Sequence, residues 1–220
     1  MKIMKKLLAI FFTLLIVNLC FSVKALDLPK YYKFPKNYLK GKFHNSTKNF
    51  FIVATKEIID PRFKNSVILM LEHDKDGAIG IIINKPIGKI TIGSLIQKIE
   101  NKTINRKEIF DYEIPIFWGG PIDNDRILIL HSNDYNDEST KKYKYLSVSN
   151  NYESLISIAD ENAPTKSLVV VGISAWTVGQ LDGEIDKGHW NLSEVKEELI
   201  FEENNEIKFI RATDNSFLRL

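Results

Sequence analysis

One cysteine, Cys20, stands in 220 residues, so no internal disulfide is available and the fold must rest on buried apolar surface. Histidine is sparse too, at four. His44, His73, His131 and His189 are scattered singly, with no close pair on a helix and no thiol beside them, which excludes a recognisable zinc pattern. His73-Asp74-Lys75-Asp76-Gly77 lacks the alternating acids and the closing glutamate of a calcium loop. Gly77, Gly80, Gly88 and Gly93 match neither a Walker loop nor a dinucleotide fingerprint, and Pro86 after Lys85 blocks the helix that a phosphate cradle needs. No cofactor and no metal are expected. There is also no internal repeat and no linker that would divide the chain.

An excess of one charge is missing too, once the first residues are set apart. Lys2, Lys5 and Lys6 precede an apolar run from Leu7 to Val17, and Val23-Lys24-Ala25 places small residues before Leu26. That order is a secretory leader's, and the expectation is export after cleavage, to the periplasm in a Gram-negative cell. The alternatives are an anchor in the inner membrane, for which Leu7 to Val23 is short and carries Asn18, or retention in the cytoplasm. Acylation of Cys20 is disfavoured because Leu19 stands where a lipoprotein leader wants a small residue. Residues 1–25 hold four of the 30 basic residues and no acid, leaving 26 against 28 acidic residues, a net of −2. Such a balance gives no signal for nucleic acid, and contact with a membrane is expected only through residues 1–25 if they stay attached.

What the chain does have is apolar strand material. Gly77-Ala78-Ile79-Gly80-Ile81-Ile82-Ile83-Asn84 follows Val67-Ile68-Leu69-Met70-Leu71, and runs this rich in branched residues indicate strands covered on both faces. Together they predict a core hairpin, with Glu72 to Asp76 as its solvated tip and Pro86 as its end. Residues 26–48 read as an irregular aromatic lead-in and 49–220 as one domain. Further strands are expected at Phe50–Ala54, Ile114–Trp118, Arg126–His131, Leu146–Ser149 and Lys166–Ala175, with an edge strand at Ile207–Ile210. Helical spacing predicts helices over Ile92–Ile99 capped by Thr91, from Tyr152 to about Asn162, and over Thr177–Lys187 closed by Gly188, with Val178, Leu181 and Ile185 on one face. Glu100 to Glu113 and Asn133 to Tyr145 read as solvated connections, and Asn191 to Phe201 fits helix or strand.

Taken in order, Phe51-Ile52-Val53-Ala54, Asp60-Pro61-Arg62-Phe63, Gly77-Ala78-Ile79-Gly80, Asn84-Lys85-Pro86, Gly119-Gly120-Pro121, Gly179-Gln180-Leu181, Glu184-Ile185 and Trp190 resemble the AlgH/YqgE family of bacterial proteins. The likeness runs from Phe50 to about Phe201. It implies an α+β fold, a single domain on a bulged, largely antiparallel sheet flanked by helices, with no established biochemical activity. The family's name implies regulation of transcription in alginate production, and its members generally lack a leader. The chain departs from the family's usual Ala-Gly-Trp and Gly-Pro-Gly-Gln-Leu-Glu in Ser174-Ala175-Trp176-Thr177-Val178-Gly179-Gln180-Leu181-Asp182.

Two chemistries compete. Gly172-Ile173-Ser174-Ala175-Trp176 lies between a strand and a helix, as a nucleophile elbow does, but Trp176 replaces the second glycine, and only His189 follows with Asp182 or Asp186 near it. A serine at a strand end is the plainer reading. A binding pocket is the other idea: Asn84, Lys85, Gly119, Gly120, Trp176, Gln180 and Glu184 lie at strand ends, sharp turns or a helix start, where polar groups converge without disturbing a core. The same groups serve as readily to tie loops to the sheet. The expectation is a non-enzymatic binding or regulatory protein with a small-molecule or protein partner; a cytoplasmic transcription-associated regulator and a hydrolase using Ser174 are the alternatives.

Overall fold

In the computed structural model, which describes residues 46–100, 107–161, 163–202 and 204–216, with side chains from 98 to 100 set aside, ten strands join in one sheet. They are β1 (Phe50–Ala54), β2 (Val67–Asp74), β3 (Gly77–Ile82), β4 (Pro86–Thr91), β5 (Glu113–Trp118), β6 (Ile122–His131), β7 (Lys141–Lys142), β8 (Ser147–Ser149), β9 (Ser167–Trp176) and β10 (Trp190–Glu194). The helices among the described residues are α1 (Ile92–Glu100), α2 (Lys107–Phe110), α3 (Tyr152–Ser157), α4 (Gln180–Asp186), α5 (Glu197–Ile200) and α6 (Asn205–Asp214). The α+β class holds, and so does the bulged, largely antiparallel sheet. Register shifts interrupt β2, β4 and β6, and β5 with β9 is the parallel pair among the described strands.

Strand β9 carries the connectivity. Val169–Val171 pairs antiparallel with β6 and parallel with β5, while Ser174–Trp176 pairs antiparallel with β3. Gly172 sits between the two segments at φ +76°. Its neighbours explain the glycines of the β5–β6 turn. A Cβ on Gly119 would fall 2.2 Å from the Gly172 carbonyl oxygen, and one on Gly120 would fall 2.3 Å from the Ile173 backbone. The turn meets β9 backbone to backbone, an approach that only a residue without a side chain permits.

Period-2 alternation sorts the apolar runs onto two faces. Phe51, Val53, Val67, Leu69, Ile81 and Ile83 pack with Leu199, Ile200 and Ala212 of the last helices, while Ile52, Ile68, Met70 and Ile82 pack with Leu181, Ile185, Trp176 and Trp190. A third cluster packs Ile92, Leu95 and Ile96 of α1 with Ile109 of α2 and Leu155 of α3 over β5, β6 and β9. Both faces of β1 to β3 are covered, which is why these strands read as unbroken apolar runs.

Several expectations change. The tip of the first hairpin is narrower than Glu72 to Asp76, because β2 continues to Asp74 and His73 is buried. There the His73 Nδ1 accepts the Thr47 backbone N–H at 3.0 Å, so the domain already includes Thr47, inside the stretch read as a lead-in. Pro86 opens a strand instead of ending one: β4 is an exposed strand paired with β5, and a first strand residue needs no donor. The 100–113 connection contains α2 with Ile109 buried, and the 133–145 connection contains β7. Val178 is 48% exposed and lies before α4, which starts only at Gln180. Asn191 to Phe201 divides into β10 and α5. The expected edge strand at Ile207–Ile210 is part of α6, capped by Asn204, whose side chain accepts from the Glu206 and Ile207 amides. The leader and residues 26–45 lie outside the described residues.

Candidate functional site

Helix α4 starts from Gly179, held at φ +69° where a side chain would be strained, and ends at Gly188, at φ +76°. Leu181 and Ile185 face the core; Gln180 and Glu184, four apart, share a second face, and the Gln180 amide donates to Glu184 Oε1 at 3.0 Å. The Gln180 oxygen accepts from the Thr177 amide and hydroxyl, fixing the helix entry. Glu184 Oε2 accepts two indole N–H groups, from Trp176 at 2.9 Å and Trp190 at 2.8 Å. One carboxylate therefore joins the end of β9 to the start of β10.

Aromatic rings continue from there. Trp176 and Trp190 meet edge to face with centroids 6.2 Å apart, Phe63 meets Trp190 edge to face at 5.9 Å, and Phe63 tilts onto Trp118 at 5.9 Å. Such contacts add to the burial of apolar area and fix ring orientation. Phe63 comes from the 55–63 loop, which is tied over α4 by the Thr55 hydroxyl on the Gly188 carbonyl at 2.6 Å and the Thr55 amide on the His189 carbonyl at 3.0 Å. Asp60 caps the short 3₁₀ turn Pro61–Phe63 and grips the Arg62 guanidinium through both oxygens, a hydrogen bond that lowers the Asp60 pKa and raises that of Arg62. Between this loop, the end of β9 and α4 lies a cleft of about 350 Å³.

Of the seven pocket candidates, Trp176, Gln180 and Glu184 line this cleft. Gly119 and Gly120 make the backbone contact with β9, adjoining the lining residue Pro121. Asn84 and Lys85 are turned to loop backbone: Asn84 accepts from the Val67 amide at 2.8 Å and donates to the Asn65 carbonyl at 2.9 Å, and Lys85 donates to the Lys64 carbonyl. Burial lowers the Lys85 pKa. Asp60, Arg62, Phe63, His189 and Trp190 join the lining without having been assigned to the pocket from sequence. A signal for them did exist. Tryptophan is rare here, three in 220, and Glu184 falls eight residues after Trp176 and six before Trp190.

Ser174 also borders the cleft, but it is 1% exposed and its hydroxyl donates to the Gly119 carbonyl at 3.2 Å. Asp182, one of the acids considered for a triad, faces His73 instead, its Oδ2 3.5 Å from Nε2. Because Nδ1 accepts the Thr47 amide, a neutral His73 carries its proton on Nε2, toward that carboxylate. A second buried histidine, His131, bonds the Ser132 carbonyl through Nδ1 and the Ser149 hydroxyl through Nε2, both at 2.9 Å, and both His131 and Ser149 are wholly buried. Among the described residues no group of three or more His, Cys, Asp or Glu is placed to hold a metal ion, and no helix is long and apolar enough to cross a membrane.

Comparison with known proteins gives a consistent picture. A family model described as AlgH-like matches residues 51–216. A UPF0301 protein of Vibrio parahaemolyticus is 35% identical over 157 residues, 70% of this chain and 83% of that protein. A UPF0301 protein of Rickettsia felis is 34% identical over 171 residues, 77% of this chain and 88% of its own length. Among solved structures, that of the AlgH protein from Pseudomonas aeruginosa superposes with a TM-score of 0.68 at 26% identity, covering 80% of this chain and 92% of that one. A Corynebacterium diphtheriae protein shares the fold at a TM-score of 0.51 and 17% identity, covering 69% of this chain and 77% of that one.

Proposed function

Because the chain belongs to the AlgH-like family of uncharacterised proteins, we propose that it acts by binding, not by covalent chemistry, and that the tryptophan cleft is where it takes a small-molecule or protein partner. Glu184 carries this reading. Three donors hold its carboxylate still at the base of an aromatic cleft, an investment in fixed polar geometry beside open space that core packing alone does not require. Ser174 spends its proton on a backbone carbonyl and Asp182 is engaged elsewhere, which supports recognition over nucleophilic attack.

The test is complementation of a strain lacking the protein, with export assayed beside it. Ser174→Ala should restore whatever defect the deletion causes, whereas Arg62→Ala and Gln180→Ala, both on exposed rim residues, should not. Loss of function in Ser174→Ala with an unchanged unfolding midpoint, or labelling of Ser174 by an acyl-serine probe, would favour the hydrolase and end the proposal. The address is proposed as well: the lysine, apolar and small-residue order of residues 1–25 supports export, and a mature N-terminus at Leu26 in the extracytoplasmic fraction is the expected result. Met1 retained on a cytoplasmic protein would instead favour the transcription-associated regulator.

A further inference from the structure

Resting on the reading of the cleft as a binding site, we infer that its ligand is an organic cation: an ammonium or guanidinium group on an aliphatic stem. Glu184 is half-buried and accepts only from neutral donors; no cation pairs with it among the described residues. The nearby positive group, Arg62, is already gripped by both oxygens of Asp60. With histidine neutral, the lining residues Asp60, Arg62 and Glu184 leave a net charge of −1. A carboxylate offers about four acceptor positions, and three are filled here, so Oε1 keeps room for one more donor.

The walls suit the same ligand. Trp176, Trp190 and Phe63 line the cleft, Phe63 the most open of the three, and an aromatic face attracts a cation. Ile59, 86% exposed at the rim, offers an apolar rest for a methylene stem. An anion would meet Glu184 with no free positive partner, and an apolar ligand would strip water from a carboxylate without replacing it. The cation has two sources of one chemistry, a free amine or the Lys or Arg side chain of a polypeptide.

The chain's three tryptophans, Trp118, Trp176 and Trp190, all belong to this ring cluster, so intrinsic fluorescence reports on the cleft. The full chain is titrated with N-acetyl-lysine amide, N-acetyl-arginine amide and the neutral N-acetyl-norleucine amide, then with a short peptide containing Lys and Arg. Saturable shifts with the cationic probes and none with norleucine amide are expected. Glu184→Gln keeps an oxygen for both indoles, gives up only the acceptor for the exposed Gln180 amide and removes the charge, so it should weaken cationic binding by about ten- to a hundredfold with little change in the unfolding midpoint. Tighter binding of the peptide would assign the source to a polypeptide, and equal binding to a free amine; either supports the inference. Equal binding of norleucine amide, or wild-type affinity in a folded Glu184→Gln protein, would overturn it. If no cationic probe binds while Arg62→Ala and Gln180→Ala still fail to complement, the cation falls and the binding site stands. If those variants complement fully, the binding site falls as well.

Discussion

Lys208 is wholly buried on α6, its ammonium donating to the Ile83 carbonyl at 2.8 Å and lying 5.2 Å from the Phe117 ring centroid. Burial lowers its pKa to about 8, against 10.5 for a free lysine. Below pH 8 both states hold the proton and the folded one bears the cost of a buried charge. Between about 8 and 10.5 the unfolded chain binds more protons than the folded, so stability rises with pH across that window. The full rise is on the order of 3 kcal/mol. Urea unfolding at pH 7 and pH 10 should show it in the wild type, and Lys208→Met should lack that part of it. A second contrast separates backbone strain from lack of room. Gly88 and Gly120 have nearly the same φ, +147° and +150°, but a Cβ at Gly88 meets nothing within 4 Å whereas one at Gly120 collides with the Ile173 backbone. Gly88→Ala should cost about 1–3 kcal/mol, and Gly120→Ala at least ~2 kcal/mol more, read from denaturation midpoints.

Helix α6 shows what a local pattern can carry and what it cannot. Ile207-Lys208-Phe209-Ile210 alternates well enough to suggest a strand, yet the buried pair is Lys208 and Ala212, four apart, and a lysine on the inner face is invisible to a hydrophobic period. The Asn204 cap is the better guide. Asn204→Ala should lower stability by about 1 kcal/mol through loss of two amide partners, measured by urea unfolding, and far-UV circular dichroism should show the lost helical turns if α6 frays. The strands whose two faces are both covered were legible, because β1, β2, β3 and β9 are continuous branched runs bounded by breakers. Strand β4 was not, since its exposed Pro-Ile-Gly-Lys carries no burial signal and exists through its pairing with β5. The candidate site divides in the same way. Gln180, Glu184 and Trp176 follow from helix spacing next to a strand end, whereas Asp60 to Phe63 arrive through a loop tied to Gly188 and His189, more than a hundred residues away in sequence.

At the scale of the whole molecule β9 is the strand on which β3, β5 and β6 converge, and its Val170 and Ile173, its Trp176 and its Val169 lie in three separate parts of the core. Separating any of those three strands from the rest breaks a β9 ladder. Amide hydrogen exchange should therefore find Val169 to Val171 protected to the level of global unfolding, while β7, two exposed residues long, exchanges through local opening. At the other end of the strand order β10 is the last member, its inner side paired with β1 and its outer side met at Ser193 by the isolated bridge to Ser216. That single contact has a bearing on how the molecule behaves in a crowd. Cutting the chain after Asp214 would remove that bridge and free the ladder groups of Ser193 beside Leu192, where another copy could pair, and the shortened protein should self-associate at concentrations where the intact one stays dispersed.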